Sequence, residues 1–310
     1  MRMTHRVRTG HLLRHVPRQA ELGAGVAALD IAQDLILAEL HALGFFGGTL
    51  VFKGGTALRK LFAGPAGRFS TDFDFAVGAM DIEPRAAGEL IAEAIADFRH
   101  ASFQYTVSEA RGRWVIHVAT DLTDVEVPPL KLDIGPPCWL RPAVRAFEDV
   151  PVHRRYDFPL PELPVMCLEE NLAEKIARLT RTSTARDASD LNWAAETSPH
   201  PQLDRSLIRR LAVLKVWVDN HGMDGHWKPA AGPQPFDPQV WLRQGREWDD
   251  ERIGLLTHPA PRLEDLEDDL RRYSSWLADL EPDERRFASA NASDRAAVVD
   301  AIAGLSLIHI

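Results

Sequence analysis

The sequence predicts an α+β protein: a mixed or antiparallel sheet with flanking helices, followed by a mostly helical C-terminal region. Three observations predict it. Short β-branched and aromatic runs bounded by glycine or turn residues crowd residues 49–135. Several of these are consecutive with no helix between them, which favours antiparallel or mixed pairing over a doubly wound parallel sheet. Proline-rich YDFPLPELP at 156–164 then ends the strand-rich part, and the apolar spacing beyond it is helical. The expected division is a core over residues 1–160 with an N-terminal helix, and a helical domain over 161–310.

Along the chain, residues 20–43 place Val26, Leu29, Ile31, Leu35, Ile36, Leu40 and Leu43 near helical spacing, predicting an amphipathic helix that Gly44 stops. TLVFK at 49–53 reads as a strand, ALRKLFA at 57–63 as a helix, and STDFDFAV at 70–77 as a strictly alternating strand. A helix follows at about 84–99. QYTVSEARGRWVIHVATDL folds into two strands around a turn near Ala110–Gly112, and PLKLDIG at 129–135 supplies another strand. Helical patterns cover 167–181, 187–196, 204–220, 262–280 and 291–304, with a Pro/Gly loop at 226–239. The last six residues, LSLIHI, differ in texture from the Ala/Asp-rich run before them and carry no weight in this reading.

Composition narrows the classes of function. The 310 residues carry a formal net charge of -9, which disfavours holding nucleic acid by bulk electrostatics but leaves room for a local basic groove. Much of the excess acid lies in LEDLEDDL at 263–270, read as a solvated helix face. Cys138 and Cys167 are too few for a disulfide framework or a zinc site and sit in no Cys-x-x-Cys spacing. No apolar run approaches the ~20 residues of a membrane span, and the basic N-terminus lacks the apolar segment of a signal peptide, so a cytoplasmic location is expected. No Gly-Lys-Ser/Thr follows the glycines, which excludes a P-loop.

The chemistry concentrates between residues 51 and 77. Gly-Gly-Thr occurs twice, at 47–49 and at 54–56. The first feeds a strand; the second leaves one and opens a helix, the geometry that aims backbone N–H groups at an anion. Asp72 and Asp74, two apart on a strand, project from one face about 6.5–7 Å apart at the backbone. Such carboxylates repel and raise each other's pKa unless a cation lies between them. Magnesium suits oxygen ligands of this kind, and a metal pair can serve both oxygens of an in-line phosphoryl displacement. Asp133 in LKLDI points away from the core residues Leu130, Leu132 and Ile134 and could add a third carboxylate from a neighbouring strand. Taken singly, each feature has a bland reading: surface charge for Asp-x-Asp, a turn for Gly-Gly-Thr, a salt-bridged edge residue for Asp133. Their order supplies the specificity.

That order resembles the DNA-polymerase-β-type nucleotidyltransferases. The wider spelling KGGTALRK, RFSTDFDF, LKLDI, CLEENLAEKIARL and ARDASDL, over roughly residues 48–193, is similar to the AbiEii/AbiGii toxin family, including the MenT-type toxins. The resemblance implies a toxin of a toxin–antitoxin or phage-defence system, with a cognate antitoxin protein. It implies a metal-dependent enzyme, using Mg2+ or Mn2+, that moves a nucleoside monophosphate from an NTP to RNA. The expected acceptor is the 3′ end of tRNA. Catalysis would fall to Asp72, Asp74, Lys175 and Asp187. Nucleotide would be held by Lys53, Gly54, Gly55, Thr56 and Lys175, and metal by Asp72, Asp74 and Asp133. Lys175 sits at the edge of the stripe Leu168, Leu172, Ile176 and Leu179, so it either snorkels or is drawn inward by phosphate or carboxylates. Arg178 and Arg181 lie further round that helix. Asp187 and Asp190 could instead cap the next helix; the resemblance places Asp187 near Lys175 and Arg186. Ser70, just before the strand, is a possible regulatory phosphorylation site. Arg205, Arg209, Arg210 and Lys215 are either acceptor-phosphate contacts or the solvated face of their helix. Rivals are a small-molecule or protein nucleotidyltransferase, favoured by the acidic charge, and a non-catalytic nucleotide-binding protein.

Overall fold

The computed structural model of the chain describes residues 6–15, 23–78, 82–180, 184–196, 203–223, 232–238 and 262–308. Half of the Pro/Gly stretch at 226–239, and Arg181, lie outside the described residues. Two compact units emerge. One takes the chain up to Cys138 and then Pro142–Val165; the other takes Trp139–Arg141 and most of the chain from Met166 onward.

The first unit is built on an eight-stranded mixed sheet of order β3-β4-β5-β6-β2-β1-β8-β7. Its strands are β1 (Leu50–Lys53), β2 (Asp72–Val77), β3 (Arg99–His100), β4 (Phe103–Ala110), β5 (Arg113–Thr120), β6 (Leu130–Gly135), β7 (Ala143–Arg145) and β8 (Leu163–Val165). The β4–β5 hairpin turns at Arg111 and Gly112, both at positive φ. β2 runs parallel to β6 and β1 parallel to β8, while β1 and β2 pair antiparallel. Alternation does the local work. Phe73 and Phe75 turn to the core with Phe52, their ring centroids 4.9–5.7 Å apart, and so send Asp72 and Asp74 to the other face.

Helices α1 (Thr9–His15), α2 (Gly23–Ala42) and α4 (Pro84–Ile95) accompany the sheet. The spacing of α2 predicts an amphipathic helix, but every residue from Gly25 to Ala38 is buried. Asp30, Gln33 and Asp34 are therefore buried polar groups and not a solvent face, whereas Leu43, just past the helix end, is exposed. The helix expected at 57–63 begins earlier: α3 (Gly54–Leu58) starts on the second Gly-Gly-Thr and widens into a π turn at Arg59–Ala63.

The second unit packs α5 (Leu168–Arg178), α6 (Ala185–Glu196), α7 (Arg205–His221), α8 (Leu263–Tyr273), α9 (Pro282–Ala288) and α10 (Arg295–Ile308). The predicted stripe Leu168, Leu172, Ile176 and Leu179 is buried, and the fully buried Trp217 of α7 anchors the core. Asp204 caps α7 by accepting from the Leu207 N–H at 3.0 Å. Glu170, fully buried on α5, accepts from the Trp139 and Leu140 N–H groups and pairs with Lys215 at 3.0 Å, tying residues 139–141 to this unit. On α8, Leu266 and Leu270 are buried while the acids between them are exposed or half-buried. α10 runs on to Ile308 and buries Leu305, the first residue of LSLIHI, which the sequence texture did not signal.

Candidate active site

The glycine turn and the Asp-Phe-Asp strand are built against each other. Gly54 has φ +77, and a Cβ there would run into the Asp74 carboxylate. A Cβ on Gly55 would collide with the Arg68 guanidinium and come within 3.5 Å of Ser70 Oγ. The Thr56 hydroxyl donates to the Asp72 carbonyl. Both glycines and the threonine therefore have separate structural reasons within one small volume.

Strand register completes the row. Lys53 of β1 pairs with Asp74 of β2, and Asp74 pairs with Asp133 of β6. Directly paired residues point to the same face, so Lys53, Asp74 and Asp133 line up across three strands with Asp72 beside them. Lys53 Nζ reaches over Gly135, where a Cβ would lie 3.5 Å from it. The side chain of Asp133 is 48% exposed, with Arg113 Nε 3.8 Å from its carboxylate. The residues predicted for this unit are thus brought together.

Whether the row fits a metal is a question of donor chemistry. Asp72 and Asp74 offer paired hard oxygen donors on one face, the set that magnesium or manganese takes. Among the described residues, no three His, Cys, Asp or Glu side chains are gathered closely enough to hold a metal ion by themselves. The fit rests on the β2 pair, with Asp133 in register next to it.

Ser70 is 4% exposed, and its hydroxyl accepts from the Asp72 N–H at 3.3 Å. Any modification of that hydroxyl requires the segment before β2 to open.

In the helical unit, Lys175 is buried and turned inward to carboxylates, one of its two sequence alternatives. Its Nζ lies 2.7 Å from Asp190 Oδ2 and 3.5 Å from Asp187 Oδ1. Thr184 caps α6: its hydroxyl accepts from the Asp187 N–H at 3.2 Å and donates to Asp187 Oδ2 at 2.9 Å. Arg178 Nε adds a third cation contact at 3.7 Å from Asp187. Asp190, for which the sequence offered capping as one alternative, is the shorter partner of Lys175. Three of the four proposed acceptor contacts have internal acid partners. Arg209 pairs with Glu284 at 2.7 Å, Arg210 with Asp283 at 2.6 Å, and Lys215 with Glu170 and Glu174. A cavity of about 320 Å³ within this unit is lined by apolar residues such as Leu172, Ile176, Ile208, Leu270 and Leu277, and by none of the predicted catalytic, nucleotide or metal residues.

Sequence reasoning missed a buried ion network behind the glycine turn. Asp30 accepts from Arg59 Nε at 3.0 Å, Lys60 Nζ at 2.9 Å and His15 Nε2 at 2.7 Å. Asp34 meets Lys60 Nζ at 2.7 Å, the Tyr156 hydroxyl at 2.7 Å and His153 at 3.4 Å. Burial alone would raise both carboxyls, but Arg59 and then Lys60 and His15 hold Asp30 well below the usual carboxylate range. Lys60 and then His153 do the same, less strongly, for Asp34. The sequence signal for it was two aspartates at i and i+4 inside a mostly apolar helix, together with the Arg-Lys that ends KGGTALRK.

The model of the family "Nucleotidyl transferase AbiEii toxin, Type IV TA system" matches residues 35–294. The chain is similar to MenT4, a nucleotidyltransferase toxin from Mycobacterium tuberculosis H37Rv. Identity is 33%, over 97% of this chain and 99% of that one, with a TM-score of 0.83. An antigenic nucleotidyltransferase-like protein from Paracoccidioides brasiliensis is 10% identical over 85% of this chain and 93% of its own, with a TM-score of 0.34, too low to carry an argument. No curated protein matches the sequence.

Proposed function

The chain belongs to the AbiEii family of nucleotidyltransferase toxins and is a nucleotidyltransferase enzyme; we propose that it transfers a nucleoside monophosphate from an NTP to RNA, with the 3′ end of tRNA as acceptor, and so inhibits translation. The observation that carries this reading is the Gly54 turn packed on Asp74, with Asp72 and Asp133 on the same face.

In the proposed reaction, the acceptor hydroxyl oxygen bonds to the α-phosphorus, the bond from that phosphorus to its bridging oxygen breaks, and pyrophosphate leaves. The Gly54–Thr56 backbone and Lys53 hold the triphosphate, since backbone N–H groups at the start of a helix suit an anion and Lys53 supplies a cation in the same row. Asp133 takes the hydroxyl proton. A divalent magnesium or manganese ion, held by Asp72 and Asp74 with Asp133 beside them, would neutralise phosphate charge and activate the hydroxyl. For Lys175 the proposed role is stabilising phosphate charge, with Asp187 orienting it; both roles rest on the family resemblance. The partner would be a cognate antitoxin. No described helix is long and apolar enough to cross a membrane.

A second reading, transfer to a protein or small-molecule hydroxyl, gains support from the internal pairing of Arg209, Arg210 and Lys215. One experiment separates the two. The protein is incubated with each α-labelled NTP, Mg2+ or Mn2+, total tRNA and a panel of small and protein acceptors. Label on the tRNA 3′ end, abolished by Asp72→Asn or Asp74→Asn in folded protein, is expected. Label that appears only on another acceptor replaces the RNA reading. Retained transfer in the two variants removes the assigned carboxylates. In the same assay Ser70→Asp is expected to be inactive, because a charge beside Asp72 repels triphosphate; full activity would end the regulatory proposal for Ser70.

A further inference from the structure

The connection from the turn helix into β2 has almost no ladder of its own, and side chains donate to the carbonyls of Gly64, Gly67, Phe69 and Ser70. Arg59 donates through one guanidinium nitrogen to the carbonyls of Gly64 and Gly67. Arg68 donates to the Phe69 carbonyl at 2.9 Å, and Gln33 Nε2 to the Ser70 carbonyl at 2.8 Å. The Thr71 carbonyl accepts from the Lys131 N–H at 3.0 Å, and the Asp72 carbonyl from the Thr56 hydroxyl. Arg59 also stacks on Phe69, with its guanidinium carbon 3.8 Å from the ring centroid. Two of these donors stand on, or are anchored to, α2. Gln33 is fully buried there, and Arg59 is fixed by Asp30, one turn before Asp34.

We propose that Arg59 and Gln33 are positioning residues for Asp72 and Asp74, transmitting the fixed place of buried α2 through residues 64–71 to the start of β2. Each buried carbonyl of an irregular segment needs a partner, and whatever donates to residues 67–70, all buried, sets where the residue after the segment sits. Here the following residue is Asp72. Neither Arg59 nor Gln33 is required to touch substrate. Their effect is on how accurately the carboxylates are aimed, and a misplacement of about 1 Å in such a site costs on the order of 100-fold in rate.

The inference rests on the reading of Asp72 and Asp74 given above, and the test keeps the two apart. Gln33→Met conserves volume, removes the donor to Ser70 and also removes Oε1, a buried acceptor with no hydrogen-bond partner, so it is expected to fold. Arg59→Lys keeps a cation for Asp30 but lacks the fork that meets Asp30 through Nε while another nitrogen reaches the Gly64 and Gly67 carbonyls. Both are compared with wild type in full-length protein by thermal melting and by steady-state release of pyrophosphate. The expected result is a melting temperature close to wild type for Gln33→Met, kcat lower by about 10- to 100-fold in both variants, and KM for NTP changed by less than about threefold. Folded Gln33→Met with kcat within about twofold of wild type overturns the inference. So does a loss that merely tracks the fraction unfolded. Asp72→Asn and Asp74→Asn run alongside. If they are inactive while the positioning variants are not, only the positioning inference falls; if they are active, the carboxylate assignment itself falls.

Discussion

Gly54 combines two demands that are usually separate. Its φ of +77 costs any other residue about 1–2 kcal/mol, and its missing Cβ makes room for the Asp74 carboxylate. Gly44 shares the first demand without the second: φ is +84, and nothing lies within 4 Å of a Cβ built there. The pair forms a controlled comparison. Gly54→Ala and Gly44→Ala are each expected to lose about 1–2 kcal/mol of stability from backbone strain. Only Gly54→Ala, by displacing Asp74, is expected to lose about 100-fold in transfer rate. Thermal melts and the labelled-transfer assay check the two parts independently.

At the scale of elements, α2 and the helix opened by the glycine turn are joined by opposite charges withdrawn from water. A buried pair of this kind is weak evidence for stability by itself, but deleting one member leaves its partner charged and unsatisfied, at about 3–5 kcal/mol. The pH dependence follows from sign. Asp30 has a folded pKa held well below the ordinary value of 3.8, so its contribution is fully present above that value and is lost as pH falls through the lower, folded one. Asp34 acts in the same direction. Wild-type unfolding free energy, measured in urea from about pH 6 to 2, is therefore expected to drop steeply below the ordinary carboxylate range. Asp30→Asn should be less stable near neutrality and show a shallower drop. An unchanged acid slope in that variant would mean that the network contributes nothing to acid unfolding.

Over the whole chain, a formal charge of -9 coexists with basic residues that face acids of the same unit. Arg209, Arg210 and Lys215 hold helices together within the helical unit, through Glu284, Asp283 and Glu170, so they present no open cationic stripe. A polyanionic acceptor would then be held by few phosphate contacts. The logarithm of its KM against the logarithm of salt concentration is expected to rise with a slope of about 2 or less, the equivalent of about three neutralised phosphates on a single strand. A slope of about 4 or more would reveal a basic surface outside these pairs.

The chain's own spelling determined the local elements that matter. Period-two alternation put the two phenylalanines of Asp-Phe-Asp-Phe on one face and the aspartates on the other. A glycine turn between strand and helix marked where the chain leaves β1 and opens α3, and helical spacing marked the α5 stripe. These are short-range properties, fixed by backbone geometry and by which side chains avoid water. Tertiary structure decided everything that depends on which distant segment a polar side chain meets. The parallel pairing of β2 with β6 set Asp133 opposite Asp74. The burial of α2 from Gly25 to Ala38 made Asp30, Gln33 and Asp34 anchors inside the protein. Folding also gave Lys175 its short partner Asp190, and gave Arg209, Arg210 and Lys215 their carboxylates. A charged residue on a helix has the same spacing whether it faces water or a buried acid; only the packing of segments far apart in the chain distinguishes the two.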